Sequence, residues 1–314
     1  MGNNALTSAA EKDHSEVGKN KYFDHVHFLV KDLDKALETY EKLLGVKPED
    51  KGGFRKDIPG RSRIGMLPVP GATPGFRIEM IERAPNIQED NRMSRFLRDH
   101  GEGVGGLSIF VEDFDAVVQD LRDKGVAVTV ETVSFIDPEY PFRVGWVEAD
   151  EAHGVWIELV DSKAVPPYEK EWDLELRGDT SQYLDHLHFV VKSLDQATKT
   201  YEKLLGLKPE GKGSVKADYP EGGGMRMLPI PGCRIEMIER APSVDDRMTR
   251  FLKKRGEGVG GISIFVEDFD GVQFIKQRIE IRACADLFYC RAQCGKSVAL
   301  RRNNRLTFWM HALD

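Results

Sequence analysis

The octapeptide FDHVHFLV (residues 23–30) alternates, so Val26, Phe28 and Val30 leave one face of a strand while His25 and His27 leave the other, one pleat apart. RIEMI (77–81) repeats the arrangement with Ile78 and Met80 on its apolar face and Arg77 and Glu79 opposite. VWIELV (155–160) does so again, with Val155, Ile157 and Leu159 apolar and Trp156 and Glu158 opposite. If these strands share a sheet, their polar side chains gather on one surface. Mixed imidazole and carboxylate donors suit a hard divalent ion such as Mg²⁺, Mn²⁺, Co²⁺ or Ni²⁺, with water at the open positions, and three protein ligands are enough. A carboxylate beside such an ion can also act as a general base. Plainer uses exist for the same residues: paired histidines can form a hydrogen-bonded polar surface, Glu79 beside Arg77 can be an exposed ion pair worth under about 1 kcal/mol, and Glu158 can be an edge carboxylate.

Two further patterns bear on ligands. Arg55, Lys56, Arg61 and Arg63 cluster before the LPVPG turn (67–71), where an anionic substrate group could dock; Arg63 and Arg77 are the expected contacts. GEGVGG (101–106) fits G-x-G-x-x-G through Gly101, Gly103 and Gly106, but it follows a helix and opens a strand, the reverse of a dinucleotide-binding fingerprint. Its glycines are expected to end the RFLRDH helix and to allow close backbone approach.

The elements that must position these groups follow from periodicity. After the first strand, DLDKALETYEKLLG carries Ala36, Leu37, Tyr40, Leu43 and Leu44 at helical spacing, with Asp32 or Asp34 as cap and Gly45 as stop. A turn-rich stretch, a short strand and RIEMI complete βαβββ. GLSIFV, FDAVVQDLRDKG, VAVTVETV, FRVGWVEA and GVWIELVD give a second βαβββ half. The whole unit then recurs: LDHLHFVVKSLDQATKTYEKLLGLKPE (184–210), CRIEMIERAP (233–242) and RFLKKRGEGVGGISIFVEDFD (250–270) restate the earlier segments. A period this long is a duplicated domain and not a solenoid, whose repeats run roughly 20–50 residues. The expected fold is α+β, two tandem βαβββ modules: residues 21–161, a linker over 162–182, and 183–314.

Composition narrows the partners. The 314 residues carry 45 basic and 52 acidic side chains, a net charge of −7, which argues against nucleic acid. Residues 1–20 read as a disordered polar tail without a signal or spanning segment, so the cytoplasm is the expected compartment and no membrane partner is expected. Cys233, Cys284, Cys290 and Cys294 lack zinc-site spacing and are expected as reduced thiols. From residue 271 the second copy degrades: QFIKQRIEIRACADLFY still follows the first loosely, RAQCGKSVALRRNNRLTF matches nothing in it, and eight basic against three acidic side chains over 271–314 are the composition of an aberrant end. One counter-signal is FWMHALD (308–314), which can be laid on VWIELVD (155–161) so that His311 meets Glu158.

Tandem halves opening on DHVHFLVKDLDKALETYEKLLG, with IEM on the fourth strand and GVWIELVD on the eighth, resemble the vicinal oxygen chelate superfamily of glyoxalase, bleomycin-resistance and dioxygenase proteins. RFLKKRGEGVGGISIFVEDFD is most similar to methylmalonyl-CoA epimerase, with glyoxalase I next. The resemblance implies one divalent metal (Mg, Mn, Co, Ni, Zn or Fe) held by positions on the first, fourth, fifth and eighth strands. These fall on His25, Glu79, Gly106 and Glu158, and in the second copy on His186, Glu236 and Gly261, with His311 as the last candidate. Glycine replaces the usual histidine in both copies, and His27 is the nearby residue able to supply the lost imidazole. The implied activity is that of an isomerase or lyase: a carboxylate, Glu158 or Glu79, removes the proton next to a carbonyl and the metal stabilises the enediolate. A small-molecule substrate, a CoA or glutathione thioester, and a homodimer fit that reading. The alternatives are a metal-free binding module of the same fold and an extradiol-type dioxygenase.

Overall fold

The computed structural model describes residues 21–50, 53–69, 77–84, 91–134, 139, 141–164, 182–207, 215–230, 233–266 and 305–309. The tail over 1–20, most of the proposed linker, His311 and three of the four cysteines lie outside these residues; Cys233 is a buried thiol that donates to the Arg234 carbonyl at 3.2 Å.

The first module is an eight-stranded sheet. Its strands are β1 (Lys21–Val30), β2 (Phe54–Ile58), β3 (Ser62–Pro68), β4 (Arg77–Arg83), β5 (Gly103–Val111), β6 (Thr129–Val133), β7 (Phe142–Val147) and β8 (Trp156–Asp161), in the order β2-β3-β4-β1-β5-β8-β7-β6. Each βαβββ half closes on itself by a parallel pair, β1 with β4 and β5 with β8, and the halves join through antiparallel β1 and β5. That topology puts the four strands of interest side by side at the centre.

Helix α1 (Leu33–Leu44) starts where Asp32 accepts the Lys35 amide at 3.0 Å and stops at Gly45, whose φ of 70° is the left-handed turn a Cβ would strain. Asp34, the other candidate cap, instead pairs with Arg55 and Arg63. The helices α1 and α3 (Phe114–Asp123) pack on one face of the sheet, against Val26, Phe28, Ile78, Met80, Leu107, Ile109, Ile157 and Leu159. The opposite, concave face carries a second apolar group of Leu29, Ile81, Phe110, Trp146, Trp156 and Val160, onto which α2 (Arg92–His100) lays Met93, Phe96 and Leu97. The alternation in the sequence therefore sorts the chain into a helix-covered core and a lined cup.

The second module repeats the plan as β9 (Gln182–Val190), α4 (Leu194–Leu205), β10 (Val215–Asp218), β11 (Gly223–Ile230), β12 (Cys233–Arg240), α5 (Arg247–Arg255) and β13 (Gly258–Val266), in a six-stranded sheet completed by β14 (Arg305–Trp309). Here one expectation fails. In the first module β8 runs parallel to β5, with Trp156 opposite Gly106. β14 runs antiparallel to β13, with Trp309 opposite Gly261. Phe308 and Trp309 therefore do not take the parallel pairing of Val155 and Trp156, while His311 lies outside the described residues.

The modules meet at the starts of β5 and β13. His153 bridges them, with Nδ1 3.2 Å from Glu257 of the second module and Nε2 3.1 Å from the Thr200 hydroxyl. Tyr201 donates to the Ala152 carbonyl at 3.2 Å, and Arg255 to the Glu102 carbonyl at 2.8 Å. His153 is the one non-glycine residue with positive φ among the described residues, at 57°, so the bridge holds a turn that ordinary side chains disfavour.

Candidate metal centre

The central strands bring His25 and His27 of β1, Glu79 of β4 and Glu158 of β8 together on the cup face, all four buried. Register explains the meeting: His27 lies opposite Glu79 on the parallel neighbour, and His25 lies opposite Ser108, which in turn lies opposite Glu158. The Nε2 of His25 is 3.5 Å from Glu79 Oε2 and 3.8 Å from Glu158 Oε2. The Nε2 of His27 is 3.4 Å from Glu79 Oε2, 3.1 Å from Glu158 Oε2 and 3.0 Å from His25 Nε2. Donors bonded at about 2.1 Å to one ion stand about 3.0–3.5 Å apart along the edges of an octahedron or tetrahedron. Among the described residues His25, His27 and Glu158 have donor atoms within 4.8 Å of one another, and Glu79 Oε2 lies beside both imidazoles.

Behind His25 stands a residue that sequence reasoning missed. Asp24 Oδ2 lies 2.5 Å from His25 Nδ1, and its other oxygen pairs with Arg77. Asp24 and Arg77 are only 1% and 3% exposed, so this ion pair is fixed within the sheet. Burial works against the Asp24 carboxylate, but Arg77 and His25 outweigh it and hold it below its ordinary range. Burial likewise pulls the His25 imidazole down, yet hydrogen bonds to Asp24 and Glu79 raise it to about 10. Glu158 is pushed up by burial and brought below its ordinary range by the adjacent His27 and His25. A carboxylate on the outer nitrogen of a histidine whose inner nitrogen faces carboxylates is the usual support of a metal-ligating imidazole.

Ser108 is fully buried between His25 and Glu158 in register, and its hydroxyl helps to hold the Glu158 carboxyl below its ordinary range. Imidazoles and carboxylates buried together on one face are a donor set that suits a hard divalent ion. His25, His27 and Glu158, with Glu79 beside them, are the residues that could hold the ion, whose chemistry would be to polarise an oxygen bound beside it.

Two expected substrate contacts are placed elsewhere. Arg77 faces the cup but is buried against Asp24, so it orients the site and is not a docking cation. Arg63 shares the parity of Leu67 on β3 and lies on the helix-covered side, pairing with Asp34 at 2.9 Å, Glu82 at 3.2 Å and Asp57 at 3.3 Å. Its charge is neutralised away from the site.

Gly106 leaves no open room for an imidazole: a Cβ there would fall 1.9 Å from the Trp156 Nε1, and one on Gly105 would fall 2.3 Å from the same ring. A register shift between His27 and Phe28, opposite Gly106 and Val104, turns both glycines to the indole. Trp156 fills the third-ligand space and donates from Nε1 to His27 Nδ1 at 2.8 Å.

In the second module His186 Nε2 is 3.2 Å from Glu236 Oε2, as expected, but the third member is His188, whose Nδ1 lies 2.6 Å from the same oxygen. Burial raises the Glu236 carboxyl, and the two histidines more than reverse it, leaving it far below the ordinary range. Ser263 repeats Ser108 and is likewise buried. No carboxylate from a β8-like strand joins this cluster among the described residues. The repeated DHVH and DHLH already contained the signal for Asp24 and His188, since both copies spell the same four positions.

No helix among the described residues is long and apolar enough to cross a membrane. The chain is 29% identical over 189 residues to lactoylglutathione lyase GLX1 of Arabidopsis thaliana, covering 60% of this chain and 56% of that protein, so it spans just over half of that relative's length. It is 29% identical over 175 residues to 2-epi-5-epi-valiolone epimerase of Actinomyces sp., covering 52% of this chain and 91% of that one. Among solved structures, a 4-hydroxymandelate synthase mutant from Streptomyces coelicolor superposes with a TM-score of 0.57 at 16% identity over 82% of this chain and 75% of that one, a likeness of fold. Methylmalonyl-CoA epimerase of Streptomyces coelicolor is 26% identical over 47% of this chain and 98% of its own, with a TM-score of 0.38. The family model for the Glyoxalase/Bleomycin resistance protein/Dioxygenase superfamily matches residues 24–140 and 185–273, and with the paired sheets and buried donor clusters just described, the chain belongs to that superfamily.

Proposed function

We propose that the first module is a metal-dependent isomerase or lyase that moves a proton at a carbon next to a carbonyl. The observation that carries this reading is the convergence of the His25 Nε2 and the Glu79 and Glu158 carboxylates in a buried cup, with Asp24 fixing the imidazole from behind. An ion bound there supplies positive charge to a substrate oxygen, which acidifies the neighbouring C–H. Glu158 is the favoured base: it is held ionised, and Oε2 is engaged by His27 while the other carboxylate oxygen can take the proton. Returning that proton to the opposite face, or to the adjacent carbon, completes an epimerisation or an isomerisation. Leu29, Ile81, Phe110 and Trp146 line the cup with apolar surface, which keeps bulk water from competing for the proton.

The named relatives, a lactoylglutathione lyase and an epimerase, support a small carbonyl compound as substrate, with a CoA or glutathione thioester as the class to test first. The experiment is proton exchange in D₂O. Purified protein with Mg²⁺, Mn²⁺, Co²⁺, Ni²⁺ or Zn²⁺ is incubated with methylmalonyl-CoA or the methylglyoxal–glutathione hemithioacetal, and deuterium at the carbon is followed by NMR. Chelator-reversible incorporation that Glu158→Gln abolishes is expected; incorporation unaffected by chelator would overturn metal dependence.

A further inference from the structure

The two histidines of β1 have opposite hydrogen-bond polarity. His25 presents Nδ1 to Asp24, a carboxylate that only accepts, so in the neutral ring the proton sits on Nδ1 and the Nε2 lone pair is directed into the cup. His27 presents Nδ1 to the Trp156 indole N–H, which only donates. Its lone pair is therefore on Nδ1 and its proton on Nε2. That proton has two acceptors at hand, Glu158 Oε2 at 3.1 Å and, when His25 is neutral, His25 Nε2 at 3.0 Å. A nitrogen that carries a proton cannot bind a metal, so the ring best placed to replace the missing histidine is wired the wrong way round for it.

Packing keeps it so. Trp156 is 1% exposed, its ring is wedged on Gly105 and Gly106, and Phe96 meets it edge-on with centroids 5.8 Å apart. His27 is equally buried, with the Trp146 ring on a further side at 6.2 Å. Neither ring can turn to exchange donor and acceptor without displacing the other. In the second module the corresponding His188 places Nδ1 2.6 Å from Glu236.

We propose that Trp156, seated on Gly106, locks His27 as an Nε2–H donor to Glu158, making His27 a positioning residue and leaving the ion to the three ligands His25, Glu79 and Glu158. This rests on the metal reading above. It assigns the indole to the space of the third, β5 position at Gly106. It also fixes which Glu158 oxygen stays off the substrate.

Nitrogen chemical shifts of the full chain labelled with ¹⁵N-histidine test this, with His27→Gln used for assignment. In metal-free protein His27 should show an unprotonated Nδ1 and a protonated Nε2. On titration with zinc chloride, the His25 Nε2 should move to a metal-bound shift while the His27 Nε2 keeps its proton. Trp156→Phe should release the tautomer and make the His27 Nε2 responsive to zinc. A His27 Nε2 that binds zinc in the natural protein, or an Nδ1-protonated His27 in the metal-free one, overturns the proposal. Protein that takes up no zinc refutes the metal-dependent function, while the metal-free shifts still decide whether the tautomer is locked.

Discussion

Residue by residue, the site depends on one ion pair that holds one imidazole. Asp24→Asn keeps the shape but removes the carboxylate from His25 Nδ1, and should weaken metal binding about 10–100-fold by calorimetry, the usual effect of losing such a support. Arg77→Ala leaves the Asp24 charge buried without its guanidinium and should cost about 3–5 kcal/mol in denaturant unfolding. The titration of His25 gives a pH signature. Its pKa rises from 6.5 to about 10 on folding, so the stability contributed by its proton is complete below pH 6.5 and lost by about pH 10. Metal-free protein should therefore lose up to about 1.4 kcal/mol per pH unit over that window. The same proton competes with the ion, so metal affinity should rise with pH across it, by up to about tenfold per unit. Glu158 and Asp24 act in the other direction: their contribution is present above about pH 4 and disappears in acid.

At the scale of elements, alternation along β1, β4 and β8 was legible in the sequence, because a strand with one buried face must put every second side chain opposite. It predicted the shared face of His25, His27, Glu79 and Glu158. What alternation does not encode is who occupies the space between strands. Arg63 falls on the helix side because β3 takes the parity of Leu67, a phase that a short turn-flanked strand does not reveal by itself. Gly106 by its own identity says nothing of the indole reaching over from β8. That contact makes the β5 bulge sensitive to a single methyl. Gly106→Ala should destabilise the first module by about 1–3 kcal/mol as Trp156 is displaced, read as a lower denaturation midpoint together with a change in indole fluorescence.

Across the whole molecule, duplication was plain in the sequence, while the unequal ends of the two copies were visible only as a shift in composition. The first module closes on a parallel β8 that delivers Glu158; the second closes on the antiparallel β14 and gathers only His186, His188 and Glu236 among the described residues. The copies are therefore expected to differ in metal affinity, with the tighter site in the first. Calorimetric titration of metal-free protein with Mn²⁺ or Zn²⁺, comparing the natural chain with His25→Ala and His186→Ala, is the most direct measurement of that central claim. The account predicts a tight equivalent that His25→Ala removes and His186→Ala leaves in place. No binding at saturating metal, or a tight site lost with His186 and kept without His25, would contradict it.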